Sequence, residues 1–80
     1  MEELLNIRNK KTFNREDIKM VINYLRENYG VAIKDVAIRA DVNKSSLYMA
    51  VRGERPLCGK YIRRLTKTLK EYIDEYEGEE

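Results

Sequence analysis

Apolar residues recur along this 80-residue chain with the spacing of α-helices, and we find no segment with the two-residue alternation of a β-strand. The first helical segment has one apolar face, made by Ile18, Val21, Ile22 and Leu25. Asn14 is its predicted N-cap, and Asp17 lies where its carboxylate can reach back to that cap. The segment runs to about Asn28 and ends at Gly30, a residue type common after a helix.

Two short helices and a tight turn are predicted next, over Asp35–Gly53 and the residues just before it. The pattern predicts one helix from Ile33 to Ala40 and another from Lys44 to Arg52. Asp41 falls at the turn, where a left-handed conformation is usual, and Asp tolerates that conformation better than most residues. The next residue, Val42, is predicted to be a buried apolar side chain, and Asn43 is a good N-cap for the next helix.

The second of these short helices has two different faces. Leu47, Ala50 and Val51 recur at helical spacing and are predicted to point inward. The opposite face carries polar or amphipathic side chains, namely Lys44, Ser45, Tyr48 and Arg52. Ala37 is small where the two helices must cross closely, and Gly53 ends the second helix at the C′ position. The pair therefore exposes a polar helix face on a tightly crossed support.

The last helix is predicted from Lys60 to about Glu77, followed by an acidic tail at residues 78–80. Its apolar residues form a heptad seam made by Ile62, Leu65, Leu69, Tyr72 and Tyr76. A helix of this length is expected to outrun a small core, so its distal half needs another partner. We expect a second copy of the chain to contact Leu69, Tyr72, Ile73 and Tyr76. The alternative, that residues 1–7 fold over this face, stays open.

The length predicts one domain over residues 1–80, and the helical periodicity predicts an all-α fold, a compact bundle of four to five helices. The chain has no histidine and one cysteine, Cys58, which we interpret as a small core residue. This composition argues against a metal site, an internal disulfide or histidine-based catalysis, and we expect neither enzymatic activity nor a cofactor. We see no membrane span, signal peptide or small-molecule site, so we expect a cytoplasmic protein.

The net charge of +2 conceals a strong asymmetry. Residues 1–70 contain all 16 Lys and Arg residues but eight of the acidic ones, which leaves a net charge of +8. Residues 71–80 contain the other six acidic residues. A basic body is the electrostatic footprint of a nucleic-acid-binding protein, although a high charge content also serves solubility alone.

The segment Asp35–Gly53 resembles the helix-turn-helix of the Cro/repressor-like family of phage and bacterial transcriptional regulators. The resemblance extends over about Asn14–Leu69 and rests on Val36-Ala37, Val42, Ser45-Ser46-Leu47, Gly53 and Pro56. The family usually has glycine where this chain has Asp41, and it often has a polar pair in place of Ala32-Ile33. The second difference removes an N-cap and a phosphate contact, which we do not transfer to this chain.

The resemblance implies a recognition helix whose N-terminal residues enter the major groove of DNA. The positions that face base edges are Lys44, Ser45, Tyr48 and, in second rank, Met49. Phosphate contacts are expected from Asn43 and Ser46 near the helix start and from Arg52, Arg55 and Lys60 after it. Structural alternatives stay open: Ser45 as a helix cap, Lys44 as a solvated charge and Tyr48 as a partly buried aromatic residue.

These observations favour a sequence-specific regulator that binds double-stranded DNA, a small Cro-like repressor from a phage or mobile element that acts as a homodimer on an operator. The alternative is a protein-interaction module, an anti-repressor or adaptor, built on the same helix-turn-helix scaffold. For residues 1–11 two interpretations also stay open. The segment either packs on the domain through Leu4, Leu5 and Ile7, or contacts DNA through Arg8, Lys10 and Lys11.

Overall fold

The computed structural model describes Ile7 and residues 9–78, and these residues form an all-helical structure with four helices. The helices are α1 (Arg15–Tyr29), α2 (Ile33–Ala40), α3 (Lys44–Val51) and α4 (Gly59–Glu77). The predicted all-α bundle with a long C-terminal helix is therefore confirmed. Most of the predicted N-terminal arm, including Leu4, Leu5 and Arg8, lies outside the described residues, as do residues 79–80 of the acidic tail.

The ends of α1 follow from local hydrogen bonding, as the sequence predicts. Asn14 Oδ1 accepts a hydrogen bond from the Asp17 N–H at 2.8 Å, and Asp17 Oδ2 accepts one from the Asn14 N–H at 3.1 Å. This reciprocal capping box satisfies two backbone donors that the first turn would otherwise leave unpaired. At the other end Gly30 adopts φ 71°, and its N–H donates to the Arg26 carbonyl oxygen.

The hydrophobic core lies between α1 and α2 on one side and α4 on the other, with α3 completing it. Both α3 and α4 pack against α1 and α2. The largest fully buried side chains are Phe13, Ile18, Ile22, Leu25, Leu47, Leu65, Leu69 and Ile73. Since residues from every helix meet in this one cluster, the positions of α3 and α4 are fixed through α1 and α2.

The core also covers most of the surface that the sequence assigned to a dimer. Leu69, Tyr72 and Ile73 are buried within the single chain, contrary to the expectation that the distal half of α4 needs another partner. The dimer contacts themselves stay a prediction. The 19 residues of α4 span about 28 Å, but the molecule is 34 Å in its longest dimension. Within the single chain the core covers the seam as far as Ile73, where the burial ends. Tyr76 is 45% exposed and stacks on Tyr29 of α1 at 4.6 Å between ring centroids.

The loop between α3 and α4 contains a second difference from prediction. Cys58 is exposed rather than buried, because it occupies the extended N-cap position immediately before Gly59, the first residue of α4. Leu57 is the residue of this loop that packs against the core. The free thiol thus makes no contribution to the core.

Candidate nucleic-acid interface

The turn between α2 and α3 brings the two helices together through a left-handed residue and two backbone hydrogen bonds. Asp41 adopts φ 59° and ψ 49°, as predicted. Its N–H donates to the Ile38 carbonyl oxygen, and the Val42 N–H donates to the Ala37 carbonyl oxygen at 3.0 Å. This is the hydrogen-bond pattern of a Schellman motif, which ends α2 and turns the chain toward α3. Val42 and Ala37 are both buried, so the turn is closed by apolar packing as well.

Arg64 of α4 holds the same turn from outside, a contact that sequence reasoning did not assign. Its Nη1 atom donates to the Asp41 carbonyl oxygen at 2.7 Å and lies 3.7 Å from the Asp41 carboxylate. The carboxylate is almost fully exposed, so its Coulombic attraction is weak, and the charge-assisted bond to the carbonyl is the stronger contact. The turn that orients α3 is therefore fixed by both α2 and α4.

At its start α3 is capped by Asn43, whose Oδ1 accepts a hydrogen bond from the Ser46 N–H at 3.0 Å. This bond uses the side-chain oxygen of Asn43 and does not use the two N–H donors of the same amide. Ser45 is not the cap, so the structural alternative considered for it is not supported. The C-terminal end of α3 forms a second Schellman motif. Gly53 adopts φ 81°, and the Glu54 N–H donates to the Met49 carbonyl oxygen at 2.8 Å.

The side chains predicted to face base edges lie together on the outer surface of α3. Lys44 and Ser45 are exposed, and Tyr48 and Met49 are half-buried. Ser45, Tyr48, Met49 and Arg52 line a shallow, open depression along the helix. The Tyr48 ring also packs against the edge of the core, which fixes the ring and leaves part of it accessible. The arrangement gives α3 an outer face that combines a cation, hydroxyl groups and an aromatic ring.

The predicted phosphate contacts occupy both ends of α3. Asn43 is exposed and Ser46 half-buried at the start, whereas Arg52, Arg55 and Lys60 are all exposed after the end. Arg52 already has a partner, since its Nε and Nη2 atoms lie 3.1 and 3.2 Å from the two Glu54 carboxylate oxygens. A phosphate that approaches Arg52 must therefore compete with Glu54. Arg55 and Lys60 flank this pair in the loop and at the first turn of α4.

The acidic end of α4 is bound to the body of the domain. Arg39 of α2 forms ion pairs with Glu75 and, at 3.6 Å, with Glu71, and its guanidinium lies 4.4 Å from the centroid of the Tyr72 ring. The hydrogen bonds from Arg39 lower the pKa of Glu75 below its usual value. These contacts place two partly exposed acidic groups of α4 against α2.

Glu77 makes the corresponding contacts with α1. The Tyr24 hydroxyl donates to Glu77 Oε2 at 2.7 Å, and the Tyr29 hydroxyl donates to the same oxygen. These bonds lower the pKa of Glu77 and raise the pKa of both tyrosine hydroxyls. None of these tyrosine or Arg39 contacts was predicted, because heptad spacing identifies a face of α4 but does not show what covers it.

Two described residues of the predicted N-terminal arm pack on the domain. Ile7 is buried in the core, and the Lys10 Nζ atom lies 2.9 Å from Asp17 Oδ2, the oxygen that also caps α1. Lys11, by contrast, is exposed and lies beside α4. For Ile7 and Lys10 the packing interpretation accounts for the observed contacts.

Within the residues that the structure describes, no cluster of Cys, Asp or Glu side chains is arranged to hold a metal ion. Nor does any helix of this described part have the length and apolar character that a membrane span requires. Comparison of the chain with models of protein families, with curated proteins and with solved structures finds no match. The functional argument therefore rests on the geometry and charge of the helices themselves.

Proposed function

We propose that this protein is a sequence-specific regulator of transcription that binds double-stranded DNA through α3. The observation that carries the proposal is the outer face of α3. This face presents the exposed Lys44 and Ser45 and the half-buried Tyr48 on a helix whose orientation is fixed by the turn at Asp41. A helix of this size fits the major groove, where base edges display a distinct donor and acceptor pattern for each base pair.

Each side chain on this face has a chemistry suited to its proposed contact. The Lys44 ammonium donates to guanine O6 or N7, and the Ser45 hydroxyl both donates and accepts. Tyr48 contacts a thymine methyl group through its ring or a phosphate through its hydroxyl. Arg55 and Lys60 bind phosphates after α3, while Asn43 and Ser46 bind them at its start. Arg52 joins them when it exchanges Glu54 for a phosphate.

The protein acts as a small repressor of the Cro type in this proposal, by occupying an operator. Two copies on a two-fold operator would place two α3 helices about 34 Å apart and read one turn of DNA. The homodimer stays a prediction from DNA geometry, because Leu69, Tyr72 and Ile73 are used in the core of the single chain. Sedimentation analysis with and without a palindromic duplex would test it, since a complex with one protein per duplex would contradict the dimer.

The experiment that tests DNA reading is selection of bound sequences from a random duplex library, followed by titration of the selected and a scrambled duplex. Lys44→Ala is expected to relax preference at one base position, at a cost of about 1–3 kcal/mol on the selected duplex alone. Arg55→Ala is expected to weaken binding to both duplexes and to reduce the salt dependence. Lys19→Ala, which removes an exposed cation from α1, is the matched control.

Failure to enrich any sequence would contradict the proposed sequence specificity. Equal loss of affinity for both duplexes in Lys44→Ala would instead move Lys44 from base contact to phosphate contact. If Lys19→Ala weakened binding as much as Arg55→Ala does, the proposed location of the phosphate contacts would be wrong.

A further inference from the structure

A second cationic surface lies on α4, and only Lys11 among its residues was considered above as a DNA contact. It is a groove, here called the α4 basic groove, lined by Lys11, Thr12, Arg63, Thr66, Lys67 and Lys70. Four of these six residues are cationic, and no carboxylate is among the described residues that line it. The groove has two walls, since Lys11 and Thr12 precede α1 whereas the other residues belong to α4.

The two walls are held together by buried contacts. The Phe13 N–H donates to Thr66 Oγ1 at 3.0 Å, and the Thr66 hydroxyl donates in turn to the Ile62 carbonyl oxygen at 2.8 Å. The Phe13 ring is buried in the core, and the Lys70 ammonium lies 5.8 Å from its centroid. Lys11 is therefore kept beside the cations of α4 by the fold, and a ligand would not need to assemble the groove.

The charges of α4 are arranged against the helix dipole. Cations occupy its N-terminal half and carboxylates its C-terminal half, whereas the dipole favours the reverse. Arg63 and Lys67 are also four residues apart, a spacing at which like charges repel. At the acidic end, the contacts of Arg39, Tyr24 and Tyr29 with the carboxylates offset the unfavourable interaction with the dipole. At the basic end, an anion bound in the groove would reduce both the repulsion and the unfavourable dipole interaction.

The shape of the groove favours an extended polyanion over a single small anion. Arg63, Lys67 and Lys70 span about 10 Å of helix at 1.5 Å per residue. One strand of duplex DNA carries a phosphate about every 3.4 Å along the axis and winds around that axis, so this row can face at most about three phosphates. Arginine, lysine and threonine hydroxyl donors, as supplied here with Thr12, are the usual phosphate contacts of DNA-binding proteins.

We propose that the α4 basic groove binds the phosphodiester backbone of DNA as a second contact surface, in addition to α3. The inference rests on the proposed DNA-binding function and extends it to a different face. The two surfaces share no lining residue. Contacts in the groove are independent of base sequence, so they add affinity and salt dependence without adding specificity.

The test compares three variants with the wild type by fluorescence anisotropy, using a random duplex at several salt concentrations. Arg63→Gln/Lys67→Gln is expected to weaken binding about tenfold at 50 mM salt and to lower the salt slope by about 2. Lys19→Gln/Arg26→Gln removes two exposed cations from α1 and serves as the charge-matched control, with the slope expected to be unchanged. Lys44→Ala/Arg55→Ala reports on α3 separately.

The results distinguish the groove from the proposed function. If the groove variant behaves like the control while the α3 variant loses affinity, the groove inference is overturned and the proposed function stands. Loss in the groove variant alone supports the groove and contradicts DNA reading by α3. If wild-type protein binds no duplex at any salt concentration, both fail.

Amide chemical shifts provide a second readout that does not depend on substituted proteins. Titration of the wild type with the random duplex is expected to shift the amides of Lys11, Thr12, Arg63 and Lys67 together. If millimolar inorganic phosphate saturates the same shifts, the groove is a site for a single small anion and the backbone assignment is overturned. Shifts confined to α3 and its flanking loop would overturn it as well.

Discussion

Replacement of Leu47 by alanine tests the packing that gives α3 its orientation. The Leu47 side chain is fully buried, and it is the largest fully buried side chain of α3. The substitution keeps the helix, because alanine has the highest helix propensity, and it leaves the polar outer face of α3 intact. Any loss of stability therefore reports on the core contact rather than on α3 itself.

The magnitude follows from what the core loses. Removing three carbon groups at about 0.8 kcal/mol each gives about 2.4 kcal/mol of lost transfer free energy. The remaining cavity adds a further term, so a total of about 3–4 kcal/mol is expected, within the usual range for buried leucine. At roughly 0.05–0.15 kcal/mol per residue, a domain of this size has about 4–12 kcal/mol of unfolding free energy in total. Leu47→Ala therefore removes a large part of it.

Chemical denaturation, monitored by circular dichroism, measures this loss of unfolding free energy directly. The melting temperature is expected to fall by at least about 12 °C. The matched control is Ile38→Ala on α2, because Ile38 is 74% exposed and its truncation should change the unfolding free energy by less than about 0.5 kcal/mol. A loss below about 1 kcal/mol for Leu47→Ala, or equal losses for the two variants, would refute the packing of α3 described above.

Three further outcomes are expected. Asp41→Val should lower the unfolding free energy by about 1–2 kcal/mol in urea titration, because a β-branched residue is strained in the left-handed conformation, whereas Asp41→Gly should not. Thr66→Val should lower the unfolding free energy by about 1–3 kcal/mol, because it leaves the Phe13 N–H without its acceptor. Thr66→Ser keeps the hydroxyl and should avoid this loss. The pKa values of Glu75 and Glu77 are lowered in the folded protein, so the two carboxylates stabilise the fold at pH values above about 4.5, the ordinary pKa of glutamate. This stabilisation is lost as the pH falls through the lowered pKa values. Melting temperatures at pH 7 and pH 3 should differ less in Glu75→Gln/Glu77→Gln than in wild type, and an unchanged difference would contradict the assignment.

The features that sequence reasoning predicted correctly are those determined within a few residues. The capping box at Asn14 and Asp17, the left-handed turn at Asp41 and the glycine after α3 each depend on backbone chemistry that neighbouring residues specify. Helical periodicity likewise identified α1 to α4 almost to the residue. These local signals agree with the tertiary fold, so the predicted elements did not have to be revised.

What the sequence did not reveal depends on contacts between distant segments. The apolar seam of α4 gives no indication of whether α1 and α2 or a second copy will cover Tyr72 and Ile73. The ion pairs of Arg39 join residues more than 30 positions apart in the chain, and no spacing rule connects them. For α3, the sequence placed Lys44 and Ser45 on the exposed face, but the pairing of Arg52 with Glu54 required coordinates.

The contribution of α4 to the core has a consequence for synthesis of the chain. Leu65, Leu69 and Ile73 supply the last apolar layer, so α1 to α3 have no complete core while the ribosome is still adding α4. At about 5–20 residues per second, the interval between completion of α3 and addition of Ile73 is roughly 1–4 s. During that time the apolar faces of α1 and α2 are open to solvent and to other nascent chains. Folding of the domain therefore waits for α4 as one late event, and substitutions that weaken α4 should lower the yield of the folded domain.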